Sequence, residues 1–170
     1  VEFHGNVLDT LAHRAVEHAK YDLARALWDR VVDVSAPLGH EAVAWSLVQR
    51  AVGAYNLGEE RHIELIDEAL AYIRLTGARN SLPGATGWGR FAATWRGDLT
   101  YATALQAEQD AALAAMRSPR AEMSRLQGRA RLHFAYGDYI ESARLASLNV
   151  SGVRGLGAPR FLAVSLWVEG

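Results

Sequence analysis

The side chains that could do chemistry are few, and their spacing suits no reaction well. His13-Arg14-Ala15-Val16-Glu17-His18 places two imidazoles and a carboxylate on a helical pattern. A zinc-binding helix of the metalloprotease kind uses His at i and i+4, so that both rings face one ion. Here the histidines are five residues apart, which turns them roughly 140° from each other around a helix. His13 and Glu17 share a face, but two ligands do not make a zinc site, and no metal is expected.

Gly84-Ala85-Thr86-Gly87-Trp88-Gly89 invites comparison with a phosphate cradle ahead of a helix. Its order is GxxGxG rather than GxGxxG, no strand precedes it, and no GK[ST] follows. A loop joining two helical hairpins is the expectation, and Gly152, Gly155 and Gly157 are read the same way. There is no GxSxG elbow and no Ser–His–Asp grouping in a recognisable context. Asp29 with Asp33, and Glu64 with Glu68, share helix faces and read as solvated stripes. No catalytic residue, cofactor or metal ligand is assigned, and the chain is not expected to be an enzyme.

Composition narrows the classes further. The 170 residues carry 18 Lys+Arg against 19 Asp+Glu, a net charge near −1, and no cysteine. The absence of thiols excludes a disulfide scaffold and thiolate chemistry. A balanced charge argues against direct nucleic-acid binding, which needs a basic excess. No apolar run approaches the roughly 18–20 residues of a membrane span, and no signal-peptide pattern opens the chain. A cytoplasmic location, with no membrane partner, is expected. Lys20 is the sole lysine among 17 arginines, and about thirty residues are alanine, a bias that suits a GC-rich genome. Opening on Val1 without methionine, the chain is expected to be a piece of a longer protein.

The elements that would position any site come from an internal repeat. Breaks fall at His18-Ala19-Lys20-Tyr21, Leu57-Gly58-Glu59-Glu60, Arg96-Gly97-Asp98-Leu99 and Tyr136-Gly137-Asp138-Tyr139, with intervals of 39, 39 and 40 residues between Ala19 and the three glycines. Apolar residues recur at three- and four-residue steps on both sides of each break, as in Leu8, Leu11, Ala12 and Ala15, then Tyr21, Ala24, Trp28 and Val31. Each repeat therefore reads as a helical hairpin. Gly ends its first helix in a left-handed cap, and Asp98 or Asp138 caps the next. Gly/Pro joints at Ala36–Gly39, Gly77–Gly84, Ser118-Pro119 and Gly155–Pro159 separate the hairpins. Eight helices are expected, with the start of a ninth at Phe161–Val168.

The segments Gly137-Asp138-Tyr139-x-x-Ser142, Gly97-Asp98-Leu99-x-x-Ala102 and Lys20-Tyr21-x-x-Ala24 resemble the middle of a tetratricopeptide repeat, with Ala12, Ala51 and Ala130 at that family's small mid-helix position. The period is longer than the family's standard one. Such degenerate repeats resemble those of large bacterial, actinobacterial LuxR-type ATP-dependent transcriptional regulators and related signalling proteins. The resemblance implies an all-α, right-handed α-α superhelix: a TPR-like solenoid of four hairpins plus the first helix of a fifth. The repeats then span residues 5–38, 40–79, 84–117 and 119–156, with a partial one at 159–170, in a single domain.

It also implies a function. Stacked hairpins bury a shared core, and their first helices line a concave wall that takes a peptide or another domain. Candidate groove residues are His13, Glu17, Val52, Tyr55, Asn56, Arg90, Thr94, Arg131 and Phe134. Aromatics mixed with Arg are what binding hot spots contain, although Tyr55 and Phe134 could equally pack between repeats. Arg50, Arg90 and Arg129 repeat at 40 and 39 residues, but a self-paired surface is the simpler account of the arginines, with Glu122 three residues from Arg125. The leading reading is a non-catalytic protein–protein interaction domain of a bacterial transcriptional regulator. One alternative is a small-molecule effector sensor using Trp28, Trp45, Trp88 and Trp95. Another is a homodimer formed through the truncated C-terminal helix.

Overall fold

The computed structural model describes residues 2–156, with side chains from residue 7 onward. These residues are all-α: α1 (Glu2–Glu17), α2 (Tyr21–Ser35), α3 (His40–Asn56), α4 (His62–Thr76), α5 (Leu82–Trp95), α6 (Leu99–Met116), α7 (Pro119–Ala135) and α8 (Tyr139–Gly155). Among them α1 packs on α2, α3 on α4 and α7 on α8 as helical hairpins, as the repeat predicts. The expected ninth helix at Phe161–Val168, and with it the truncated hairpin, lies outside the described residues. The helices divide into two compact units, one up to Ala92 and the other from Ala93 onward.

The hairpin turns follow from a few residues. Gly58, Gly97 and Gly137 take φ of 71°, 73° and 78°, the left-handed region that L side chains disfavour. Asp98 then accepts from the backbone N–H of Tyr101 at 3.0 Å, and Asp138 from that of Glu141 at 3.2 Å. In the first hairpin Ala19 is forced into the same conformation at φ 55°, and Lys20 offers no side-chain cap.

In the first unit, α1, α2 and α3 close around Trp28. Ala12, Ala15 and Ala24 form a buried cluster with it, framed by Val16, Leu27 and Leu57. The indole is 2% exposed, and burying a Trp is worth roughly 4–6 kcal/mol before entropy is counted. Its Nε1–H donates to Asp9 Oδ1 at 2.9 Å. Its face lies on Gly53 of α3, where any Cβ would overlap the ring. Alanine and glycine at these crossings let the helix axes approach closely enough for one large ring to fill the space between them.

The second hairpin departs from the others at its turn. α4 begins at His62, four residues after Gly58, whereas α6 and α8 begin two residues after Gly97 and Gly137. The first buried position of the second helix is small in α2, α6 and α8 (Ala24, Ala102, Ser142) but is Ile66 in α4. The longer turn carries Glu59, which accepts from Arg25 of α2 at 2.6 and 2.7 Å and pairs with Arg61. Burial pushes the Glu59 carboxyl up, but hydrogen bonds from Arg61 and Arg25 outweigh it and hold the group below the usual glutamate range. A carboxylate in the lengthened turn thus ties the second hairpin to the first.

Two expected loops are helical. Gly84–Gly89 lies inside α5, not in a joint, because α5 starts earlier at Leu82. Glu41 accepts from Asn80 N–H at 3.0 Å and from the Ser81 hydroxyl at 3.2 Å, fixing the residues just before it. Pro83 then suits a first helical turn, where its missing N–H costs nothing. Gly84 faces Trp45, whose ring would stand 3.3 Å from an added Cβ. Gly152 and Gly155 likewise fall within α8, and a Cβ at Gly152 would overlap the Met123 thioether. Gly84 and Gly152 serve close packing rather than turning, whereas a Cβ at Gly155 would meet nothing within 4 Å. Gly157 lies outside the described residues.

In the second unit, Ala93, Ala102 and Leu132 pack together beside Tyr101, and Ala130, Leu145 and Ala146 beside Leu126. Ser142 Oγ donates to the Ala130 carbonyl at 2.8 Å, crossing from α8 to α7. Gly128 of α7 makes room for Gln106 and Gln109 of α6, whose amides would crowd any side chain there.

Candidate functional site

The candidate groove residues fall at different depths. On α1, His13 donates from Nδ1 to the Asp9 carbonyl at 2.9 Å and sets its ring edge-on to Trp28, with centroids 5.3 Å apart. Glu17 is exposed and paired with Arg14 at 2.8 Å. On α3, Val52 and Tyr55 are half-buried and Asn56 is exposed. Arg90 on α5 is 5% exposed, beneath the surface, and Thr94 is half-buried. On α7, Arg131 is half-buried and Phe134 is 63% exposed, its ring 5.4 Å from that of Tyr139.

The first unit gathers Tyr55 with residues from the next first helix. Its ring lies 5.5 Å from Trp88 and 5.2 Å from Phe91 of α5, and Trp88 and Phe91 are themselves 5.8 Å apart. His62 meets Tyr55 edge-on at 5.4 Å. All four side chains are half-buried. Edge-to-face aromatic contacts of this kind fix ring orientation, which lowers the entropy cost of using the exposed edges in binding. The four tryptophans proposed for a ligand cavity are dispersed: Trp28 is core, Trp45 packs beside Gly84, and Trp88 joins the Tyr55 cluster. Trp95 is exposed.

The second unit holds a feature that reading the first helices alone does not reveal. A cleft of about 360 Å³ lies among α6, α7 and α8, with Leu132 and Leu145 in its lining. Asp110 and Arg129 line it as a pair at 2.8 Å, and Glu141 and Arg144 as a second pair at 2.6 and 2.7 Å. Asp110 is held further by Gln106 Nε2 at 2.9 Å. Hydrogen bonding from Arg144 holds the Glu141 carboxyl below its ordinary range, against a smaller opposing effect of burial. Arg129 is the last of the three arginines at repeat spacing, and Arg50 pairs separately with Glu68 of α4 at 2.6 Å. Arg125 takes Glu122 at 2.6 Å on its own helix, the local pairing expected of it. Of the charged residues lining the cleft only Glu141 and Arg144 leave a local trace in the sequence, an i,i+3 pair on α8 that spacing alone cannot distinguish from a solvated one.

Among the described residues no three His, Cys, Asp or Glu side chains gather as a metal site, and no helix is long and apolar enough to cross a membrane.

Eight successive helices joined in pairs by left-handed turns, with small residues where helices cross, define a tetratricopeptide-like repeat fold. The chain is similar over its whole length to the nearly identical TPR-like repeats of a Podosopora anserina protein assigned as a kinesin light chain, with a TM-score of 0.65, 18% identity and 89% of that chain covered. No protein-family model matches the sequence, and no curated protein matches it. The likeness establishes the fold.

Proposed function

We propose that this chain is a non-catalytic interaction domain that binds a peptide segment of a partner protein along its first helices. The observation that carries the reading is the aromatic wall on α3 and α5. Tyr55, Trp88 and Phe91 are locked against one another yet half-exposed, and Val52 and Asn56 lie on the same stretch of α3. Rigid aromatic edges beside a polar amide give large contact area at low entropic cost, as binding hot spots do. The remaining groove candidates, His13, Glu17, Arg90, Thr94, Arg131 and Phe134, belong to the same reading as flanking positions on the other first helices. The domain would act within a larger cytoplasmic bacterial transcriptional regulator, in keeping with the long-period repeats and the Ala/Arg-rich composition.

Selection of a displayed random peptide library on the 170-residue chain tests this. Enriched peptides should share a motif and lose at least tenfold in affinity on Tyr55→Ala, with the helical circular dichroism signal kept. A library without an enriched motif, or binding indifferent to Tyr55 and Phe91, would overturn it.

A further inference from the structure

We infer that the cleft of the second unit binds a neutral α-amino acid with an apolar side chain, taken as the zwitterion. The inference goes beyond peptide recognition and rests on different residues, in the other unit.

The charges select the class. Asp110 with Arg129 and Glu141 with Arg144 give the lining two carboxylates and two guanidiniums, already paired at 2.6–2.8 Å; His133, also in the lining, pairs with Asp138 at 3.1 Å, and Arg125 adds a contact to Asp110 at 3.6 Å. A simple anion drawn to the guanidiniums meets both carboxylates, and a simple cation meets both guanidiniums. Either one, even on a spare donor or lone pair, brings its charge beside a like charge of the same ion pair with nothing to offset it, which costs most where water is partly excluded. Asp110 is such a place, its side chain only 17% exposed.

A molecule carrying both charges one carbon apart avoids that penalty. Its carboxylate faces a guanidinium while its ammonium faces the adjoining carboxylate, so each like-charge approach is offset by an opposite one. No charge is left unpaired, and the count of charge-assisted hydrogen bonds is kept or raised.

Spare valences are present for this. Arg129 uses Nε and Nη2 on Asp110, and Arg144 uses Nε and Nη2 on Glu141. Each guanidinium has five N–H donors, so Nη1 of both remains available to a ligand carboxylate. Each carboxylate oxygen has two lone pairs, and the two oxygens of Glu141 each accept one bond from Arg144, leaving capacity for an ammonium.

The floor selects the side chain. Leu132 and Leu145 are buried residues in the lining, so an aliphatic or thioether side chain removes apolar area from water there. The cleft volume of about 360 Å³ lies within the ordinary range for small-molecule sites.

Calorimetric titration of the intact 170-residue chain with L-leucine, L-methionine and L-phenylalanine tests the inference. Saturable binding of at least one is expected, at least tenfold weaker for its methyl ester, which lacks the anion, and for its N-acetyl derivative, which lacks the cation. Glycine, without a side chain, should also bind at least tenfold more weakly. Arg144→Ala, at a largely exposed side chain, should weaken binding at least tenfold with the melting temperature of the free protein unchanged. Tyr55→Ala should leave binding intact, which separates this site from the peptide wall. No saturable heat at millimolar ligand, or equal affinity for the ester or the acetylated form, would overturn it.

Discussion

Ala19 occupies a position that in the other three hairpins is glycine, and it takes the same left-handed backbone, φ 55° against 71°, 73° and 78°. A non-glycine residue there costs roughly 1–2 kcal/mol. Replacing it by glycine removes that strain but adds conformational freedom to the unfolded chain, worth about 0.4–1 kcal/mol in the opposite direction. Ala19→Gly is therefore expected to stabilise by about 0.5–1 kcal/mol. Lys20→Asp would add the cap that Asp98 and Asp138 supply, typically about 1 kcal/mol, and would replace a cation with an anion at the positive end of α2. The double substitution should raise stability by about 1.5–2 kcal/mol, which is some 3–8 °C in Tm for a chain of this length. The converse substitutions are a clean control. At Gly58, Gly97 and Gly137 an added Cβ meets nothing within 4 Å, so alanine there tests backbone conformation alone and should cost about 0.5–1 kcal/mol at each site. Urea titration followed by circular dichroism gives the global value. Amide exchange in α1 and α2 shows whether the first hairpin gains the protection, since repeat stacks need not unfold in one step. A loss of stability in Ala19→Gly, or alanine tolerated without cost at all three glycines, would refute the reasoning.

Gly53→Ala should be far more damaging than its single methyl suggests. The new Cβ would lie 2.8 Å from Trp28 Cε2, and nearer still to the rest of the ring, so the helices must part at a cost of about 1–3 kcal/mol; Tm measurement checks it, and a neutral result would mean that the ring can move aside. Glu59 has a folded pKa below its unfolded value, so its contribution is present above about pH 4.3 and is lost as pH falls through the lower folded value. Glu59→Gln should flatten the acid limb of the stability–pH curve, and an unchanged limb would assign acid sensitivity elsewhere. Arg117 caps α6 at φ 46°, so Arg117→Gly should stabilise by the same route as Ala19→Gly, read by urea midpoint; a fall in the midpoint would show that its side chain matters more than its backbone.

What could be read from the sequence was whatever recurs. Gly58, Gly97 and Gly137 mark turns because a left-handed cap has one cheap solution, and Asp98 and Asp138 follow because an exposed helix start demands an acceptor. The same glycine signal misleads at Gly84 and Gly152. There the cause is not the backbone of the glycine itself but a distant partner: Trp45 or Met123. Composition cannot distinguish a glycine that turns the chain from one that admits a neighbour, because the neighbour is 29 to 39 residues away. Pro83 held the corrective clue, since a proline placed two residues after Asn80-Ser81 suits a helix start better than its middle. The site obeys the same logic. Tyr55 could be picked out because it lies on a first helix at repeat spacing, whereas its partners Trp88 and Phe91 fell within or beside the segment taken for a loop. The cleft was hidden for another reason: Asp110 and Arg129 are 19 residues apart on different helices, and pairing across helices leaves no periodic trace. Local rules that each residue satisfies alone survive in sequence, and contacts that need two helices at a set distance emerge only once the stack is built.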